Sequence, residues 1–403
     1  MDQLTLSVHD KSVPPSLWGR AASEVAAERH AVDEFLTPIV TLDRAAEAHN
    51  IALLAAWTSD HDVELAPHGK TSMAPELWRH LLDAGATTLT VATPWQAMIA
   101  AEHGFRSLLL ANELLDPIGI AWLRDRLEED EGFEFACFLD SAEGLATLAA
   151  TAGERPIDVL VEVGTRGGRA GVRDPDAGLA LAWGAYREPR VRLVGVAGWE
   201  GPLGPDRGEE SVDRVRRYLD DVARFARQVE ENGFFEVERP IVSAGGSAWF
   251  DLVVEAFAPL PAHVRRVLRS GVFPFHDAAH YAGLSPLAGE LRPALEVRAR
   301  VLSRPSRRLA VLDAGRRDLP FDLGLPVPLS PDGSRMLGAS ITELNDQHAF
   351  LRLPEDSRLA VGEVVRLGVS HPCTLFDKWR LVPVLDDGAA REPVVVDFVR
   401  TLF

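Results

Sequence analysis

The sequence predicts an α/β chain: a (β/α)8 TIM barrel followed by a smaller, mostly-β domain. Three observations lead there. Eight short apolar runs alternate with helical segments through the first two thirds of the chain. Near Pro286 the alternation stops and short runs broken by Pro, Gly and Asp take over. The unusual polar residues fall repeatedly just after the apolar runs, where a barrel places its chemistry.

The eight runs are Asp62–Ala66, Thr87–Ala92, Ser107–Ala111, Phe133–Leu139, Ile157–Val163, Val191–Ala197, Pro240–Ala244 and Val264–Leu268. Between them, apolar spacing predicts helices over Glu76–Asp83, Pro94–Glu102, Asp213–Glu231 and Ala248–Ala256. A doubly wound open sheet gives a similar string; the count of eight favours the barrel. An earlier strand, Pro38–Leu42, and a helix from Asp43 to about Trp57 lead into it. Beyond the barrel, Ala294–Leu302, Arg308–Asp313, His348–Leu353, Val364–Gly368 and Leu381–Val384 read as strands of a mostly antiparallel β domain. The expected division is a barrel over residues 35–285 and a β domain over 286–403, with residues 1–34 packed on the latter.

Composition bounds the function. With 403 residues and 46% hydrophobic side chains, the chain can bury a sizeable core. A net charge of −18 argues against nucleic-acid binding, which needs a basic face. No apolar run reaches membrane-spanning length, and the first residues lack a signal-peptide pattern. Cys137 and Cys373, far apart, are expected to be free thiols of a cytoplasmic protein.

Lysine is scarce: Lys11, Lys70 and Lys378 stand among 42 basic residues, the rest arginine. Arginine replaces lysine wherever only charge is needed, but it cannot serve as an amine nucleophile. Lys70 closes His68-Gly69-Lys70 after the first barrel run. Its amine there could form a Schiff base with a carbonyl substrate or with pyridoxal phosphate (PLP). After the seventh run, Ser243-Ala244-Gly245-Gly246-Ser247 places two glycines before a helix start, where amides can approach a phosphate and Ser247 can cap the helix. An ordinary βα loop has the same composition. Glu162 ends the fifth run, Trp199 follows the sixth, and Arg169 and Arg269 follow the fifth and eighth. The two arginines are candidates for the ring of a cofactor, one at its nitrogen and one at its phenolic oxygen.

In the second domain, Ser370-His371-Pro372-Cys373-Thr374 is the sharpest cluster. In an extended segment His371 and Cys373, two apart, point to the same side. An imidazole and a thiolate suit Zn2+ with positions left open. A buried cysteine beside a capping histidine reads equally well from the motif alone.

His68-Gly69-Lys70-Thr71, the Gly245-Gly246-Ser247 turn and His371-Pro372-Cys373 with Asp377 together resemble the D-serine dehydratase and D-threonine aldolase family. These are fold-type III PLP enzymes related to alanine racemase. The resemblance, from roughly Thr37 to Val384, implies an alanine-racemase-like barrel, PLP on Lys70, and a divalent metal, Zn2+ first, on His371 and Cys373. His68, Arg169, Trp199, Ser243, Gly245, Gly246, Ser247 and Arg269 are the expected cofactor contacts. It further implies a homodimer and a small D-amino acid as substrate. His-x-Cys tilts the reading to a dehydratase acting on a D-3-hydroxy amino acid, D-serine first, to give a 2-oxo acid and ammonia. Retro-aldol cleavage to glycine and an aldehyde is the near alternative; a racemase or a PLP-binding protein without catalysis is the further one. Gly198-Trp199-Glu200 departs from the Tyr or His usual in that loop. Phe273-Pro274-Phe275-His276 lacks the usual tyrosine before Asp277. Both departures bear on substrate identity.

Overall fold

The computed structural model describes residues 4–403 apart from Ala152. The first strand, β1 (Ile39–Asp43), is followed by a helix over Arg44–Asp60 that Asp43 caps by accepting from the Ala46 amide at 3.0 Å. Eight parallel strands then form one sheet. They are β2 (Glu64–Leu65), β3 (Leu89–Val91), β4 (Ser107–Glu113), β5 (Glu134–Leu139), β6 (Ile157–Val163), β7 (Val191–Gly198), β8 (Ile241–Ala244) and β9 (Arg265–Leu268). Each falls on one of the eight expected runs. β3 to β9 are neighbours in chain order and β9 pairs with β2. A parallel bridge between His68 and Thr90 joins the two outer strands, so the sheet closes into a barrel. The residue that closes the ring also begins the Lys70 segment.

Helices between the strands start on residues that stop the strand and satisfy free amides. Thr93, Asp116 and Ser141 each accept from the amide of the third helical residue, and Pro75, Pro94, Pro117 and Pro175 sit at first helical positions where no donor is lost. The main core lies between the strands and this outer layer. A smaller one fills the barrel with Leu109, Phe138, Leu160 and Val194.

The second domain is a nine-stranded sheet of β1 with β10 (Leu295–Ser306), β11 (Leu309–Leu312), β12 (Val327–Leu329), β13 (Ser340–Leu344), β14 (Ala349–Arg352), β15 (Val364–Gly368), β16 (Leu381–Leu385) and β17 (Val395–Arg400). β1 thus belongs to this sheet, between β10 and β16, and its following helix makes the crossing to the barrel. Its burial is that of an interior strand, with Ile39 to Leu42 all covered, which a strand beside a barrel shares; sequence pattern alone does not separate the two. Leu6, Leu17, Val25 and Phe35 from the N-terminal segment pack on Leu381, Val395 and Phe398 of the β domain. No helix among the described residues is long and apolar enough to cross a membrane.

Asn50 joins the two layers. Wholly buried, it donates to the carbonyls of Pro274 (3.0 Å) and Arg292 (2.7 Å) and accepts from the Arg292 amide (2.8 Å). Those residues flank the chain's passage from barrel to β domain. Replacing Asn50 by Ala would leave buried backbone groups unpaired, so a loss of about 2–4 kcal/mol is expected. A lowered urea midpoint with an unchanged slope would show it.

Candidate active site

Gly69 sets the position of Lys70. Its carbonyl accepts from the Trp78 indole at 3.0 Å, and a Cβ on Gly69 would stand 3.0 Å from that ring. Trp78 is itself buried edge-on against Phe105. A single turn over Gly69–Thr71 therefore fits tightly on the core and aims Lys70 into a cavity of about 620 Å3 at the C-terminal ends of the strands.

The cavity gathers most of the nominated residues. His68, Lys70, Arg169, Trp199, Gly245, Gly246, Ser247, Arg269, His371 and Cys373 all line it. Ser243 does not. It is fully buried below, where its hydroxyl donates to the Val267 carbonyl at 3.0 Å and accepts from Arg269 Nη1 at 2.5 Å. It positions Arg269 and does not face a ligand. A larger cavity, about 860 Å3, opens at the opposite end of the barrel. Charges there pair with one another, Arg192 with Asp158 and Arg265 with Glu64, and no nominated residue reaches it.

The charge pattern favours a neutral amine. Burial first, then Arg169 and Arg269, lower the Lys70 pKa, against an opposing pull from Cys373. Burial also drives His68 well below the ordinary histidine range, helped by Lys70 and the same arginines. His68 is thus a neutral imidazole, its Nδ1 3.5 Å from the Lys70 amide. Arg269 is held in the barrel mouth by Ser243 and by the Gly198 carbonyl at 2.6 Å. Arg169 lies over the Trp199 ring, 4.2 Å from its centroid.

His371 and Cys373 are not on an extended segment. Cys373 begins a short helix, Cys373–Phe376, and His371 lies in the bend before it. The tight turn still brings both into the cavity. His371 Nδ1 faces Asp322 Oδ2 at 2.7 Å, and Thr374 donates to the other Asp322 oxygen at 2.6 Å. A carboxylate at Nδ1 fixes the ring and frees Nε2 for a ligand. Cys373 Sγ lies 3.3 Å from Thr71 Oγ1, next to Lys70 in the chain. Burial works against charge on His371, yet Cys373 and Asp322 outweigh it and hold the imidazole at about 9. Asp377 lies outside the cavity beside Lys378, 3.8 Å away. Among the described residues no cluster of three or more metal-binding side chains occurs, so His371 and Cys373 would leave other metal positions open.

Two further corrections concern the glycine loop. The helix after it begins at Phe250 and lacks a side-chain cap; the Ser247 hydroxyl instead accepts from the Val272 amide at 3.3 Å. The Gly245 and Gly246 amides both donate to Glu200, at 3.1 and 2.7 Å. Sequence reasoning also missed Asp322, which sits in an unpatterned loop, and Tyr218. The Tyr218 hydroxyl donates to the Val163 carbonyl at 2.6 Å and accepts from the Trp199 amide at 2.8 Å, tying the ends of β6 and β7. Tyr281, on a short helix whose amides Asp277 accepts, lines the cavity with its ring 6.5 Å from that of His371.

Residues 42–271 match the model for the alanine racemase N-terminal domain, and residues 294–385 match that for a putative serine dehydratase domain. The chain belongs to the alanine-racemase-like family of fold-type III enzymes. Within it, the chain is 29% identical over 364 residues to D-threonine aldolase of Arthrobacter sp, covering 88% of this chain and 90% of that one. It is 26% identical to D-threo-3-hydroxyaspartate dehydratase of Delftia sp. (strain HT23), covering 84% and 90%. In structure it is similar to D-threonine aldolase from Filomicrobium marinum, with TM-score 0.80, 24% identity and coverage of 93% and 97%. D-threo-3-hydroxyaspartate dehydratase has been solved as a metal-free cysteine variant (TM-score 0.76, 22% identity, coverage 93% and 99%) and as a histidine variant two positions away.

A buried carboxyl beneath the cavity yields a pH dependence. Burial and then the adjacent Glu113 carboxyl push Glu162 up to about 8, against Arg269 and Arg169. Glu162 is 4% exposed and stands beside the Glu113 carboxyl. The folded chain therefore holds a proton that an unfolded glutamate releases near its ordinary pKa of 4.5. The stability this contributes is present in full below 4.5 and is lost as pH rises through about 8. Glu162→Gln, always neutral, is expected to flatten the fall in melting temperature between about pH 5 and pH 9. A fall as steep as in the parent would rule this out.

Proposed function

We propose that this chain is a PLP- and metal-dependent lyase that eliminates water from a D-3-hydroxy amino acid, the released enamine then taking up water to give a 2-oxo acid and ammonia. The observation that carries it is the shared cavity: the Lys70 amine and the His371–Cys373 pair face one space, linked by the Thr71–Cys373 contact. The residues suit both groups. A depressed amine is a carbonyl nucleophile, and an imidazole beside a thiolate is a soft donor pair for a divalent ion. PLP bound at Lys70 would supply an electron sink for charge on Cα, and a metal held by His371 and Cys373 would supply Lewis-acid assistance to a departing β-hydroxyl.

The chain's own residues do the rest. Lys70 is the group placed to take the Cα proton, and burial with the neighbouring arginines lowers its pKa from the ordinary lysine value. Arg269 and Arg169 hold positive charge beside the reacting centre without competing for that proton. Asp322 keeps His371 in one orientation. Tyr281 and His280 narrow the side of the cavity nearest His371, where a β-substituent would lie.

Elimination is preferred to retro-aldol cleavage because the pair here is histidine with cysteine, which the family resemblance associates with dehydratases; D-threo-3-hydroxyaspartate dehydratase has a histidine and a cysteine at the same two-residue spacing. The aldolase reading rests on the Arthrobacter relative. Product analysis with D-serine, D-threonine and D-3-hydroxyaspartate separates them. Elimination turns D-threonine into 2-oxobutanoate and ammonia; glycine with acetaldehyde would replace this reading by the other. His371→Ala and Cys373→Ala are each expected to lose bound metal by elemental analysis. Each should also lower kcat on the order of 10²–10³-fold, as loss of a transition-state charge partner does. Borohydride reduction in the presence of PLP near pH 7.5 is expected to tag Lys70 and neither Lys11 nor Lys378. Lys11 is engaged by Asp318 at 2.9 Å and by the Trp379 ring.

A further inference from the structure

The glycine turn after β8 already holds an anion of the chain's own. Gly245 N–H donates to Glu200 Oε2 at 3.1 Å and Gly246 N–H to Oε1 at 2.7 Å, a two-pronged grip on one carboxylate. Glu200 has 0% exposure. Gly245 sits at φ +97, and in this turn both amides face the same carboxylate. Arg269, fully buried, is drawn toward the Glu200 charge and balances it. A phosphate dianion aimed at these two amides would meet a carboxylate of its own sign. The next residue has what remains. Ser247 lines the cavity, and because its oxygen accepts from the Val272 amide, its proton is left to donate.

We propose that Glu200 is a positioning residue for the cofactor's phosphate: it consumes the Gly245 and Gly246 amides, fixes the turn, and so presents the Ser247 hydroxyl to the anion. This rests on the PLP reading above and adds to it that the two glycine amides do not bind phosphate themselves. Glutamate reaches the turn from the neighbouring strand end, at the position where relatives were expected to differ. Glu200→Gln keeps size and shape but sets an NH2 group against one of the glycine N–H groups.

Cofactor-free protein titrated with PLP, and separately with pyridoxal, which has the same ring and aldehyde without phosphate, tests this. The readout is the absorbance of the Lys70 Schiff base and the Kd it yields. Glu200→Gln is expected to weaken PLP about 10- to 100-fold, as loss of a group that orients ligand contacts does, while pyridoxal changes little. Ser247→Ala is expected to act in the same selective way. In the double variant the two losses should not add. Tighter PLP binding by Glu200→Gln would overturn the proposal, because Glu200 would then be a plug that phosphate displaces. An equal loss for both ligands, or no change, would overturn it too. If Glu200→Gln does not fold, Glu200→Asp, which retains charge but draws the carboxylate back from the turn, gives the same comparison. Absence of any Schiff base in the parent protein would instead sink the PLP reading, and this proposal with it.

Discussion

The seating of the β domain on the mouth of the barrel is the constraint on which the site depends. Leu375, Phe376 and Trp379 of the β domain share a buried core with Ala74, Leu77 and Phe275 from the barrel side. The Phe275 and Phe376 rings meet edge-on with centroids 4.8 Å apart. The Leu402 amide donates to the Met73 carbonyl at 2.8 Å, and the Ala278 amide to the Val369 carbonyl at 3.1 Å. Burying this much apolar surface and pairing these backbone groups holds the His371–Cys373 bend against the Gly69–Thr71 turn. Without it the amine and the soft ligand pair would belong to separate surfaces.

Electrostatics within the cavity follow from that closure. Lys70, Arg169, Arg269 and His68 lie around one cavity, so each cation lowers the cost of a neighbour's losing its proton. Arginine cannot yield, because its guanidinium stays protonated. The adjustment therefore falls on His68 and Lys70, both displaced downward. The acidic side responds in the opposite sense, with Glu162 and Glu113 sharing the space beneath and Glu162 raised. Glu200 finds hydrogen-bond support for its charge from two amides. The scarcity of lysine in the chain thus has a physical counterpart: Lys70 is the amine whose charge this cluster opposes.

Much of the site was legible because its residues follow strand ends in a periodic fold. His68, Lys70, Arg169, Trp199, Gly245, Gly246, Ser247 and Arg269 all reached the cavity that their placement suggested. What each does was less legible. Ser243 points away because a strand's last residues alternate sides, and its hydroxyl was taken by Arg269. The glycine amides met Glu200, whose reach depends on how β7 and β8 lie side by side. Asp322 carried no signal at all: it is one acid among many in a loop, and only the path of residues 318–326 brings it to His371.

Local chemistry thus decided the elements and the candidate chemistry of this protein. Period and breakers located eight parallel strands, turn residues set the helix starts, and lysine economy together with an imidazole and a thiol two residues apart named the candidate reactive groups. Tertiary structure decided which of them meet. It closed the barrel through His68 and Thr90, gave β1 to the second sheet, turned an expected extended segment into a helical bend at Cys373, and filled the glycine cradle with Glu200. The reason is range. Propensity and periodicity act over a few residues along the chain, whereas Thr71 and Cys373 lie 302 residues apart and come together only when two cores are buried against each other.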